Sequence, residues 1–141
     1  MKLVDANVLL YAVNKSTPHH EVARTWLDDA LDGEETIAFC WVVMLAFLRI
    51  STRPGIFATP LSANEAADVL DAWLSQPNAV VVEATMRHFL LLRGMLSSVG
   101  TAGNLVSEAH LAVMAIEHSA EVVTFDADLS RFDVTVVRPG R

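Results

Sequence analysis

The chain has 141 residues, 52% of them apolar and 19% charged, and a formal charge of −7. That balance excludes a disordered chain and a broad basic surface for polyanions, and it suits one domain around one core. Cys40 is the only cysteine, which excludes an internal disulfide or a thiolate metal cluster; between Phe39 and Trp41 it reads as a core residue.

The opening MKLVDANVLL lacks the pattern of a secretory signal. Its first residues, Met1 to Val4, read as a short strand ending at Asp5, and Asn7 introduces helical turns from Val8 to Val13. Ser16, Thr17 and Pro18 form a helix start, and the spacing of Val22, Ala23, Trp26, Leu27, Ala30 and Leu31 predicts a helix from His19 to Leu31. Gly33 ends it. His19 and His20, at its head, read as solvated surface residues.

Thr36 to Cys40 is rich in strand formers, and Trp41 to Ser51 follows as an apolar helix stopped by Arg53-Pro54-Gly55. Within this region Ile37 to Leu48 is the longest uncharged run, too short to cross a bilayer. A soluble, cytoplasmic protein without a membrane partner is therefore expected. Ser62 with Glu65 forms a capping box that opens a helix to about Leu74. Ala79 to Val82 predicts a strand, Thr85 to about Ser98 a helix, Gly100 to Asn104 a loop, and Leu105 to Ser119 another helix. Glu121 to Phe125 and Val134 to Val137 complete the chain as strands.

Alternating strands and helices predict an α/β fold with a central, mostly parallel sheet covered on both faces. In such sheets the functional crevice lies at the carboxyl ends of the strands, where the strand order reverses. Asp5 and Asp126 follow strands directly and would share that edge if the strands are neighbours. Glu108 stands in the first turn of the helix that begins near Leu105, where the helix dipole favours a negative charge and a residue near the loop can face that edge.

Carboxylates gathered on one edge repel one another, and all of them ionise together only with a cation among them. Oxygen ligands in a partly hydrated site suit Mg²⁺ or Mn²⁺ better than zinc, and such an ion can activate water for phosphodiester hydrolysis. Two lysines, Lys2 and Lys15, and eight arginines, Arg49 among them, leave guanidinium forks and the metal as the contacts for phosphate. Plainer roles stay open for each residue. Asp5 can be a helix cap, Asp126 can cap the turn before Leu129 with Asp128 beside it, and Glu108 can be a solvated first-turn charge. Asn7 and Thr124 are placed to support a carboxylate, and His110 is the histidine placed for acid-base help.

The stretches DANVLLYAVN, WVVMLAFLRISTRPGIF, GNLVSEAHLAVMAIEHSAEVVTFDADLSRF and VVRPG, in this order, resemble the PIN-domain toxins of bacterial VapBC toxin-antitoxin pairs, especially their mycobacterial branch. The resemblance covers nearly the whole chain and implies one RNase-H-like α/β/α sandwich over residues 1–141. It also implies a Mg²⁺-dependent endoribonuclease acting on structured RNA, such as tRNA or ribosomal RNA. The implied partners are a second copy of the chain and a cognate antitoxin. The antitoxin's C-terminal segment covers the site, and its N-terminal part binds operator DNA. Carried over by position, the family's acids fall on Asp5, Glu108 and Asp126, with Asp128 as an accessory. Asn7 and Thr124 fall on supporting polar positions, and Arg49 on a candidate phosphate ligand. Two departures stand out. Ala46 replaces the family's second acid, and Glu108 is longer by a methylene than the usual aspartate.

Other readings use the same residues differently. Aspartyl-phosphate enzymes need a lysine from a later strand end, which neither Lys2 nor Lys15 can supply, and the chain has no Gly-Lys-Ser/Thr phosphate loop. The alternative of another class is a catalytically weakened PIN-like module that acts by binding antitoxin or RNA, motivated by Ala46 and Glu108.

Overall fold

The computed structural model describes residues 1–100 and 103–141. Five strands form one sheet in the order β3-β2-β1-β4-β5, and every neighbouring pair is parallel. The strands are β1 (Lys2–Val4), β2 (Ile37–Cys40), β3 (Ala79–Val82), β4 (Glu121–Val123) and β5 (Val136–Val137). The helices are α1 (Ala6–Val13), α2 (His20–Leu31), α3 (Trp41–Ser51), α4 (Ala63–Leu74), α5 (His88–Val99) and α6 (Val106–Glu117). This is the expected α/β architecture, with a sheet that is wholly parallel. Among the described residues no helix is long and apolar enough to cross a membrane.

The sheet grows outward from β1 through β2 to β3, and the chain then returns past β1 to add β4 and β5 on the other side. Its order therefore reverses between β1 and β4. Lys2, Leu3 and Val4 pair with Glu121, Val122 and Val123, so the residues that follow the two strands emerge side by side. The crevice predicted at a reversal point falls on the Asp5 and Asp126 segments.

Burial on both faces explains the apolar strands. All four residues of β2 are buried, with Phe39 fully so, and Leu3, Val4, Val122 and Val123 have no exposed surface. The helices close over this sheet with Leu9, Leu27, Phe47 and Met114, each at most 2% exposed. Cys40 is in the core as expected, and burial pushes its thiol pKa up to about 11.

Local chemistry sets the helix ends. The Ser62 hydroxyl accepts from the Glu65 amide at 3.1 Å and the Glu65 carboxylate accepts from the Ser62 amide at 2.9 Å, the predicted capping box of α4. α1 begins two residues earlier than expected because the Asp5 carboxylate caps it. α5 begins three residues later than Thr85, whose amide and hydroxyl both donate to Glu117 and fold the segment into a turn. It ends at Gly100, whose φ of 69° is the left-handed conformation that glycine adopts at low cost. Thr101 and Ala102, in the middle of the loop expected from Gly100 to Asn104, lie outside the described residues.

Candidate active site

Asp5 leaves β1 with an extended backbone and turns directly into α1. Its Oδ1 accepts from the Ala6 amide at 2.7 Å, and its Oδ2 accepts from the Thr124 hydroxyl at 2.7 Å. The Asn7 amide nitrogen donates to Thr124 Oγ1 at 3.0 Å and lies 3.4 Å from Asp5 Oδ2. Thr124 Oγ1 also accepts from the Asp126 amide at 3.0 Å, while Asn7 Oδ1 accepts from the Phe125 amide at 3.1 Å. One buried threonine hydroxyl thus uses its single proton on Asp5 and both lone pairs on neighbours. The cap and the site are one structure.

A pocket of about 240 Å³ opens beside Asp5, lined by Ala46 and Arg49 of α3 and by Ser107 and Glu108 of α6. Glu108 Oε2 is buried there and has no hydrogen-bond partner among the described residues. A buried carboxylate oxygen without a donor is costly, so Glu108 is not the solvated charge that its position in a first turn allowed. Burial raises the Asp5 pKa; the bonds from Thr124 and Ala6 oppose the rise, and the charges of Asp126 and Glu108 add to it. Asp5 stands within reach of both other charges.

Asp126 follows β4 and caps the short 3₁₀ turn Ala127–Arg131, its Oδ1 accepting from the Asp128 amide at 2.8 Å. Asp128 stands apart from the others. Its side chain is 51% exposed and lies 3.7 Å from Arg131. Among the described residues no three His, Cys, Asp or Glu side chains stand together as a ready metal shell. Asp5 and Glu108, sharing one pocket, offer two hard carboxylates and an unsatisfied oxygen. That donor set suits Mg²⁺, which retains several waters and takes one or two protein carboxylates, and it does not suit zinc. Ala46, in the same wall, contributes a methyl group where a fourth acid would reach the pocket.

His110 does not face this edge. It lies two residues beyond Glu108 on α6, hence across the helix, and its Nδ1 is 2.8 Å from Nε2 of His88 on α5. His88 Nδ1 meets a carboxylate oxygen of Glu117, whose other oxygen accepts from the Thr85 amide at 3.0 Å. The chain Glu117–His88–His110 joins α5 to α6, and sequence reasoning passed over two of its members. The seven-residue spacing of His110 and Glu117, which sets both on one face of α6, was the available signal. His20 is also not a surface residue. It is 9% exposed, with Nδ1 2.9 Å from the Tyr11 carbonyl oxygen, while His19 packs against Tyr11 and Phe125.

Comparison with known proteins follows this geometry. A family model described as the PIN domain matches residues 2–134. Ribonuclease VapC37 of Mycobacterium tuberculosis is 49% identical over 133 residues, which cover 94% of this chain and 92% of that protein. Among solved structures, VapBC2 from Rickettsia felis, bound to a DNA fragment from its promoter, superposes with a TM-score of 0.71 at 17% identity, covering 98% of each chain. A toxin-antitoxin complex from Klebsiella pneumoniae gives a TM-score of 0.63 at 11% identity, covering 97% of this chain and 96% of that one. The structural likenesses are likenesses of fold.

Proposed function

Since the chain belongs to the PIN-domain family and, within it, to the VapC ribonucleases, we propose that it is the toxin of a toxin-antitoxin pair, a divalent-metal-dependent endoribonuclease that hydrolyses phosphodiester bonds in structured RNA such as tRNA or ribosomal RNA. The observation that carries the reading is the buried Oε2 of Glu108, without a partner among the described residues, in the pocket shared with Asp5. Such an atom calls for a cation, and the switch point of a parallel sheet is where this fold would present it.

Asp5 and Glu108 would hold Mg²⁺, with Mn²⁺ as a substitute, and Asp126 would complete the acidic edge through ordered water. When bound, the ion supplies the charge that lets these acids ionise together and Lewis acidity toward water and phosphate. Thr124 and the Ala6 amide fix both Asp5 oxygens, which leaves the remaining lone pairs directed by the protein. Asn7 ties the β1 and β4 ends together, so Asp5 and Asp126 keep their separation as substrate arrives. Arg49, on the pocket wall, would take a non-bridging phosphate oxygen through its guanidinium fork. Asp128, outside the pocket, has at most an accessory role at the rim. The metal and Arg49 together let a chain of charge −7 hold a polyanion.

The proposed partners are a cognate antitoxin and a second copy of the chain, with operator DNA reached through the antitoxin. The structural neighbour from Rickettsia felis is VapBC2 bound to a fragment of promoter DNA, and that from Klebsiella pneumoniae is a toxin-antitoxin complex. Ala46 favours the second reading, a weakened module that binds without cutting. One assay separates the two. Antitoxin-free protein is incubated with total RNA and Mg²⁺ or Mn²⁺, beside Asp5→Asn and Asp126→Asn. Discrete cleavage by the wild type, lost in both variants and with chelator, is expected; equal cleavage by all three, or none by any, contradicts the metal-nuclease reading.

A further inference from the structure

Arg138 follows β5 and donates from Nη1 to the carbonyl oxygen of Phe125 at 2.7 Å. Its guanidinium carbon lies 5.2 Å from the centroid of the Phe125 ring, the distance of a cation–π contact. The same ring packs edge-on against Tyr11 at 5.2 Å and lies tilted against His19 at 4.9 Å. On its other side, the Phe125 amide donates to Asn7. Both backbone polar groups of Phe125 are thus held, and the next residue is Asp126, whose own amide is held by Thr124.

We infer that Arg138 is a positioning residue for the acidic edge: by fixing the carbonyl and ring of Phe125 it sets where the Asp126 carboxylate stands relative to Asp5. This inference rests on the reading of that edge as a metal-dependent nuclease site. The 3₁₀ turn after Asp126 has no strand to hold it, and β5 contributes two residues to the sheet. Without Arg138 the Phe125 carbonyl loses its side-chain donor, and the ring loses the charged plane over its face. The turn can then swing, carrying Asp126 with it. Arginine suits the task because its planar fork stacks and donates at once, which the point charge of lysine cannot do. Arg138 and Thr124 hold opposite sides of the peptide between Phe125 and Asp126, and Asn7 holds the amide of the peptide before it, so a loss at one is not made good by the others.

Arg138→Met and Arg138→Lys test this, each first checked for folding by circular dichroism and assayed well below its melting temperature. Hydrogen exchange over residues 124–128 reads the truss without any need for activity. It is expected to quicken about tenfold in Arg138→Met and less in Arg138→Lys. Mn²⁺ affinity, read from free Mn²⁺ by electron paramagnetic resonance, is expected to weaken about 10- to 100-fold in Arg138→Met, and RNA cleavage to lose a similar factor in kcat with KM within about twofold. Unchanged exchange and unchanged Mn²⁺ affinity would overturn the inference. So would a raised KM with kcat retained, which would make Arg138 an RNA ligand instead. Faster exchange in a protein whose wild type binds no Mn²⁺ and cuts no RNA supports the positioning of Asp126 and removes the nuclease reading alone.

Discussion

Helix α6 carries a carboxylate cluster at each end, and the two are finished differently. At its start, Glu108 shares a pocket with Asp5, with a buried oxygen that no donor meets among the described residues. At its end, Glu117, with a side chain 2% exposed, is met by His88 and by both donors of Thr85, and His88 passes the contact on to His110. The second cluster is complete in itself and joins two helices. The first has Arg49 on its pocket wall, yet no donor among the described residues meets the buried Glu108 oxygen. A buried acid supplied with donors is architecture, and one left without them at a sheet's switch point is the place where the proposed ion would bind.

The largest effect expected from this contrast is at Asp5. Asp5→Asn keeps the shape, gives up one of the two bonds that Ala6 and Thr124 donate, removes one repelling charge, and should cut RNA cleavage by more than about 100-fold. Metal-free thermal stability should change by less than about 1 kcal/mol, since relief of the buried charge offsets the lost bond. A matching fall in stability would place Asp5 with the architectural cluster. Glu117→Gln should do the reverse. It leaves His88 and Thr85 with a poorer acceptor and should cost about 1–3 kcal/mol in chemical denaturation, while cleavage at a temperature where the protein is folded is retained.

Adding an acid sharpens the comparison. Ala46→Glu should tighten Mn²⁺ binding about tenfold by giving the pocket a third carboxylate, and should lower stability without metal. If affinity is unchanged, the wall near Ala46 is not part of the ion's surroundings. Asp128→Asn should change cleavage by less than about threefold and stability by less than about 0.5 kcal/mol, because the side chain is exposed and paired only with Arg131.

Acid should act on the two clusters with opposite sign. The folded state raises the Asp5 pKa, so native protein binds that proton more readily than the unfolded chain. Its contribution to stability falls as pH rises from the ordinary carboxylate value to the raised one. Burial opposes ionisation of Glu117, yet the bonds from Thr85 and His88 outweigh it and lower the pKa. Stability from Glu117 is present above the ordinary carboxylate value and lost as pH falls through the lowered one. Burial and His88 lower the His110 pKa against the pull of Glu117, so the unfolded chain is protonated first and stability is lost as pH falls below the ordinary imidazole value. Denaturation of metal-free wild type and Asp5→Asn across about pH 4 to 7 separates these terms. The variant should lack the acid-side gain and keep the losses.

Where structure follows from local chemistry, it was legible in the sequence. The strand Ala79–Val82, the helix Trp41–Ser51 and the Ser62–Glu65 capping box are as read, because apolar runs, stop signals and side-chain caps act within a few residues. The edge shared by Asp5, Glu108 and Asp126 was legible too, since strand ends and helix starts are local events and the fold class aligns them. Contacts between distant segments were not. His88 meets His110 across 22 residues and Arg138 meets Phe125 across 13, with no period that links either pair. His20 reads as a polar helix head until Tyr11 covers it. Its burial is a property of the α1–α2 packing rather than of its own neighbourhood.

Titration of metal-free, antitoxin-free protein with Mn²⁺ tests the central claim most directly, followed by the free ion's paramagnetic signal in the wild type, Asp5→Asn and Glu108→Gln. Saturable binding in the wild type, weakened by more than about tenfold in both variants, is the predicted result. No saturable binding in the wild type, or equal binding in all three, would contradict the reading of the Asp5–Glu108 pocket as a metal site.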